Sequence, residues 1–345
     1  MRAKTIRNAG FTLIELMIAV TLGLLVLAAL TSFFVRTSYN RSELERNSQQ
    51  IENGRFAISA LRDDMMLAGF YADIFMPGST SWVAPTACAT SGNMGFVPSQ
   101  LAPQMPVPVL IYPLGAGAPA GCTPNILANT DVIVIRRLNT EQTPIASAVG
   151  AQIYLQLSEC TSGAVKDDPA TPYLIDTGAN KANFILGNRA CSAKADLWRY
   201  REQLYYIRDY SVNVGDGIPT LVLMELAVDP ADNTLKMLPV PLVEGIENLR
   251  VDLGVDDAAL GIPSTWKRCD ASTPCTTVDY SNVVAAKVYV LSRTLDQSRE
   301  YTDDKTYSLG VSGTTTAAGD HYKRHVYSTL IVMPNRSGPR EPILS

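Results

Sequence analysis

The hydropathy pattern is most uneven at the front of the chain. From Leu16 to Val35, twenty residues pass without a charge. At about 1.5 Å per residue, such a run crosses the hydrocarbon core of a bilayer. One carboxylate, Glu15, stands at its edge. A charge at mid-bilayer costs about 2.5 to 3.5 kcal/mol and less near the edge, so an ionisable residue here calls for a function and a partner. Beyond Val35 the pattern changes. Leu44, Asn47, Ile51, Gly54, Ile58, Leu61, Met65 and Ala68 recur at spacings of three and four, which makes one stripe along a helix. Arg41, Glu43, Glu45, Arg46, Glu52, Arg55, Arg62 and Asp63 fill other positions. No proline interrupts the run from Phe11 to Ala68. The pattern predicts one helix over 11–70, with 11–35 as the membrane span and the later stripe packed on the protein's own sheet. Gly69 is placed to stop it.

A different periodicity follows. Residues 72–130 are rich in proline and small residues and exclude long regular elements; they read as a decorated surface insertion. Asp131–Arg137 is a β-branched run covered on both faces. Gln152–Ser158 and Leu249–Asp256 alternate apolar and polar residues, the pattern of half-buried strands. Leu204–Arg208 and Thr220–Leu226 flank the Gly215-Asp216-Gly217 turn and predict a hairpin. Val283–Arg293 and Lys323–Met333 are the last long strands. No helical pattern of similar strength interrupts them, so the expected class is α+β: a long helix on an antiparallel sheet.

The front of the chain now admits a comparison. Arg2, Lys4 and Arg7, then Asn8-Ala9-Gly10, then Phe-Thr-Leu-Ile-Glu-Leu-Met-Ile-Ala-Val over 11–20 resemble the prepilin signal of type IV pilins and type II secretion pseudopilins. The resemblance implies cleavage by prepilin peptidase between Gly10 and Phe11, methylation of the new Phe11 amine, and pairing of Glu15 with the Phe11 amine of a neighbouring subunit. Two further stretches resemble the PilW family of minor pilins. One is Asn53-Gly54-Arg55-Phe56-Ala57 with Leu61, Asp63 or Asp64, and Ala68-Gly69-Phe70. The other is Leu242–Asp252. Residues 72–130 and 294–322 depart from the family pattern and inherit no function from it.

The implied protein is a pilin-like α+β subunit: leader 1–10, helix 11–70, and an exported β-rich head over 71–345. It would be a minor type IV pilin that helps to prime pilus assembly, at or near the tip. Its partners would be other minor pilins, the major pilin, prepilin peptidase, the inner-membrane assembly platform and membrane lipid. A minor pseudopilin of type II secretion, a tip adhesin and a DNA-uptake pilin are the alternatives.

Charge and cysteine content refine this picture. The basic residues of 1–10 precede the span, so the N-terminus stays cytoplasmic and the head is exported, first periplasmic and later on the pilus. A secretory signal peptide fits less well, because the apolar run is long and no Ala-x-Ala site ends it. The formal net charge is −4, which argues against nucleic acid as a partner. Six cysteines, Cys88, Cys122, Cys160, Cys191, Cys269 and Cys275, all lie in the exported part, where an even count suggests disulfides. Pairing sequence neighbours would join 88 to 122, 160 to 191 and 269 to 275; other pairings stay open.

Catalytic chemistry has little support. His321 and His325 are the two histidines, and four-residue spacing puts them on one face only in a helix. There is no Gly-x-Ser-x-Gly turn and no phosphate-binding Gly-x-x-x-x-Gly-Lys-Ser/Thr loop. No Cys-x-x-Cys occurs, and neither a metal nor a cofactor is expected. Asp252, Asp256 and Asp257 could offer oxygen ligands, but the Asp-x-Asp-x-Asp-Gly spacing of a calcium loop is missing; Asp303-Asp304 has weaker support still. The expectation is a scaffold, not an enzyme.

Overall fold

The computed structural model describes residues 12–72, 74, 80–99, 102–160, 172–270, 272–311, 313–316 and 319–340. The leader and the Gly10–Phe11 junction lie outside the described residues. The chain divides into two compact units, Met1–Gln49 and Gln50–Ser345, with the boundary inside helix α1 (Leu13–Met66).

In the first unit, side chains from Thr12 to Ser38 are exposed, including Leu13, Phe33 and Phe34. The helix is long and apolar enough to cross a membrane, which suits membrane anchoring.

Among its described residues the second unit contains fifteen strands. In chain order these are β1 (Ser81–Val83), β2 (Gln104–Pro106), β3 (Val109–Tyr112), β4 (Val132–Thr143), β5 (Ile153–Leu157), β6 (Tyr173–Thr177), β7 (Leu197–Arg208) and β8 (Thr220–Val228). They continue with β9 (Leu235–Glu244), β10 (Ile246–Val255), β11 (Thr265–Lys267), β12 (Val283–Arg293), β13 (Thr306–Ser308), β14 (Thr314–Thr316) and β15 (Arg324–Val332). Seven of them, β3 to β9, form one antiparallel sheet, and four form a second in the order β11-β10-β12-β15. The head therefore has two main sheets rather than one. The expected hairpin is present, with Leu204 opposite Met224.

The main core lies among α1 and both sheets. Ala57, Leu61, Met65 and Ala68 join Val132–Ile135, Leu204–Ile207, Leu249, Val251, Val288 and Ile331 in one buried cluster. Burying a leucine or methionine side chain contributes about 1.5–3 kcal/mol, so this short run of the helix holds the head firmly. α1 ends at Met66, earlier than the expected 70, and a turn carries the chain to Gly69. Gly69 has φ +72° and its N–H donates to Arg136 O at 3.1 Å. A Cβ there would press on Pro108 and Arg336, so glycine is required at this stop.

Three expectations need correction. The stripe on α1 is displaced in part: Leu44 and Ile51 are exposed and Gln50 and Ala57 are buried in their place, while Gly54, Leu61, Met65 and Ala68 are buried as expected. The alternating segments are not half-buried, because every residue of β5 is covered and β10 is covered along nearly all its length. Their polar faces find partners within the protein. Gln156 donates to Ala195 O at 2.8 Å and accepts from Leu186 N at 2.9 Å, while Arg250 meets Asp131 at 2.9 Å. Finally, the Pro-rich segment is more than surface decoration. Phe96 and Met105 are fully buried, and the Phe96 ring meets Tyr71, Tyr173 and Tyr200 edge-on at 5.4, 6.1 and 5.8 Å.

Candidate assembly site

Glu15 begins the site. The α1 helix opens with Thr12, whose side chain and backbone form a reciprocal cap with Glu15. The Glu15 carboxylate accepts from Thr12 N at 2.9 Å and from Thr12 Oγ1 at 2.8 Å, while Glu15 N donates to Thr12 Oγ1 at 3.4 Å. This is the Thr-x-x-Glu capping box, which satisfies otherwise unpaired N–H groups at a helix start. The pattern is visible in the sequence, yet the charge of Glu15 draws attention to the membrane and away from it. The carboxylate is thus held at Thr12, the first described residue.

Farther along α1, polar groups fix its placement on the head. Gln50 Nε2 donates to Ser292 O at 2.8 Å and to Lys323 O at 2.9 Å, and Gln50 O accepts from Ser292 Oγ at 3.2 Å. Asn53 Nδ2 donates to Glu244 O at 3.0 Å. One turn on from Gln50, Gly54 lies directly beneath the Tyr327 ring. Sequence reasoning missed Gln50 because an apolar stripe was sought, and an amide can hold a helix face to a strand end as a leucine cannot, by filling two backbone acceptors. The Asn-Gly-Arg-Phe-Ala motif divides accordingly: Asn53, Gly54 and Ala57 face the head, while Arg55 and Phe56 are exposed.

Asp64, rather than Asp63, is the acidic residue that faces the sheet. It accepts from Gln203 Nε2 at 2.7 Å and from the Tyr205 hydroxyl, and Arg137 Nη2 stands 3.5 Å away. Burial, and then the Asp64 charge, push the Tyr205 hydroxyl well above its ordinary range; it stays a donor. Asp63 pairs with exposed Arg62.

Beneath Gly69 lies a buried ion pair, Arg136 Nε to Glu202 Oε2 at 2.8 Å. Burial by itself would lower the Arg136 pKa, but the neighbouring Glu202 carboxylate holds it above its usual value. Arg136 Nη2 also donates to Pro85 O at 2.8 Å, and Glu202 Oε1 accepts from Cys88 N at 2.6 Å. The pair therefore fastens the Pro-rich segment to the sheet. The same segment is closed by a Cys88–Cys122 disulfide, and the structure also joins Cys160 to Cys191 and Cys269 to Cys275.

The remaining candidates are dispersed. His321 is exposed with Nδ1 against Tyr301 O, and exposed His325 stacks edge-on with Tyr327 at 4.7 Å. Asp252 is buried and accepts from Val311 N at 2.9 Å; burial raises its pKa. Asp256 accepts from Leu260 N and Gly261 N. Asp257 is exposed and lies near Ser264 and Thr265. Asp303 is buried against Arg324 at 3.0 Å, and Asp304 is exposed. Among the described residues, no group of His, Cys, Asp and Glu is gathered for a metal ion.

Comparison with known proteins bears on this arrangement. The model for type IV pilus-assembly protein W matches residues 204–335, and the model for the prokaryotic N-terminal methylation motif matches residues 6–31. No curated protein sequence matches the chain. Among solved structures, a type IV-like pilin from Thermus thermophilus is similar at 13% identity and a TM-score of 0.33, over 85% of this chain and 97% of that one. A likeness that loose bears no inference. Over these two stretches the chain is similar to type IV pilus-assembly protein W and to proteins with the N-terminal methylation motif.

Proposed function

With a PilW-family type IV pilin as premise, we propose that this chain is a minor pilin that helps to prime pilus assembly and sits at or near the pilus tip. The observation that carries this reading is the union, in one chain, of the methylation motif at 6–31 with the assembly-protein match at 204–335. On this reading residues 1–10 are the leader and 11–35 the membrane span. Peptidase cleaves between Gly10 and Phe11 and the Phe11 amine is methylated. The processed chain waits in the inner membrane, with its head periplasmic, before it enters the pilus. Other minor pilins, the major pilin and the inner-membrane assembly platform are its partners.

Glu15 then has two roles in sequence. In the chain as described it caps its own helix through Thr12. In the filament its carboxylate meets the Phe11 amine of a neighbour. A methylated amine keeps its charge, and in an apolar surrounding an unpaired carboxylate is heavily penalised. A subunit at the wrong axial offset leaves that charge unmatched, so the pair sets register.

The test is a deletion strain scored for surface pili and for type II secretion in parallel. Loss of pili with secretion intact is expected. Loss of secretion with pili intact overturns the reading in favour of a minor pseudopilin.

A further inference from the structure

The four-stranded sheet ends on β15, and the register shows what that edge offers. Thr294 N donates to Lys323 O, and Met333 N donates to Val284 O, both at 2.9 Å. Between these bonds β12 and β15 pair without a register shift. Backbone groups alternate sides along a strand, so the odd-numbered residues of β15 bond to β12. Arg324, Val326, Ser328, Leu330 and Val332 therefore turn their N–H and C=O groups away from the sheet. Among the described residues no strand lies on that side. The edge is nine residues long, without proline or bulge, and Leu330 and Val332 are 56% and 50% exposed on it.

Such an edge invites pairing, and folded proteins usually blunt it. This chain does so elsewhere. The other long terminal strand, β9, carries Pro239 and Pro241, which have no N–H to offer, and a register shift beside Pro241. The terminal strands β3, β6 and β11 have only four, five and three residues.

We propose that the β15 edge receives a strand from a different protein of the filament, in register along Arg324–Val332. Two observations select this occupant. First, α1 and β15 run in the same direction: Gln50 contacts Lys323, Gly54 contacts Tyr327, and Ala68 O accepts from Asn335. Antiparallel pairing of two β15 edges across a twofold axis would thus turn residues 50–66 of the two copies in opposite directions, whereas on the pilin reading the subunits of one filament share one direction. Second, no other terminal strand among those described is both long and free of proline, so a second copy has no other terminal strand to give. Recognition is by main-chain hydrogen bonds, with an apolar side chain of the incoming strand resting on Leu330 and Val332. The inference rests on the pilin reading for the identity of the partner and on the register for the surface.

The test uses the full chain in its producing cells. Ser328→Pro removes an outward N–H and leaves the β12 ladder intact, Ser328→Ala is its control, and Leu330→p-benzoylphenylalanine is a photocrosslinker. Crosslinks are mapped by mass spectrometry in sheared filaments and in membranes. The expected result is a crosslink to a strand of another filament protein, abolished by Ser328→Pro and kept by Ser328→Ala, with the Pro variant at least tenfold depleted from filaments. Equal protease resistance of the variants verifies folding; should Ser328→Pro fail to accumulate, the crosslink decides. A crosslink to a second copy, to a helix, or to nothing overturns the proposal, as does normal filament entry of a folded Ser328→Pro chain. Absence of the wild-type chain from filaments overturns the pilin reading instead, and the membrane crosslink still decides the edge.

Discussion

Tyr327 lays its ring on the backbone of Gly54, so closely that a Cβ at position 54 would stand 2.2 Å from Cε2. Helix and strand meet here without a side chain between them. Gly54→Ala must push the ring aside, and overpacking of this kind costs about 1–3 kcal/mol. Chemical denaturation of the full chain in detergent measures it. Tyr327→Ala in the same chain should recover much of the loss, so the two substitutions are non-additive; strict additivity would mean that the ring is not the obstacle.

The Arg136–Glu202 pair is dry, and removing one partner strands the other. Glu202→Gln is expected to cost about 3–5 kcal/mol. The effect should spread, because Glu202 also receives Cys88 N. Hydrogen exchange should show faster opening around residues 85–88. Unchanged exchange there would detach the ion pair from the Pro-rich segment.

Asp252 gives a pH dependence with a definite sign. Burial, opposed in part by the Val311 N–H bond and Arg268, raises its folded pKa. Between the unfolded value, about 3.9, and the raised one, the folded chain binds the extra proton, so stability falls as pH rises through that window. Asp252→Asn keeps an acceptor for Val311 and cannot ionise. Its Tm relative to wild type should be higher at pH 7 than at pH 4. A difference that does not change with pH would remove Asp252 as the cause.

Thr12→Ala separates the two roles proposed for Glu15. It removes the hydroxyl half of the capping box, a loss of about 0.5–2 kcal/mol of local helix stability, and leaves the carboxylate. Thr12→Ala should be processed and incorporated into pili, whereas Glu15→Ala should be processed, inserted and then excluded. Equal exclusion of both variants in a sheared-pilus immunoblot would make Glu15 a capping residue only.

Much of this architecture is legible in the sequence. β12 falls at Val283–Arg293 and β15 at Arg324–Val332, because long β-branched runs leave no competing helical reading. The hairpin around Gly215 is equally plain, since Asp216 gathers the N–H groups of Ser211, Val212, Asn213 and Ile218, bonds that hold its pKa down at about 2. What escaped has one physical origin. Periodicity reports polarity, and at Gln50, Gln156, Arg250 and Asp252 polar side chains are buried against protein partners. Their partners lie far away in the chain, so no local window reveals them. The second sheet escaped for the same reason: alternation fixes which residues share a face, not which strands become neighbours.

The parallel course of α1 and β15 has a mechanical consequence. Tension drawn along the helix reaches the head through Gln50, Asn53, Asp64 and the buried run from Ala57 to Ala68. Within the second unit these contacts lie side by side along residues 50–68, so a pull on Gln50 along that stretch loads them together in shear and does not peel them one at a time. How long the head withstands such a load is governed by its unfolding rate. The residues that register the helix on the sheet are therefore also those that set how long a pulled subunit survives.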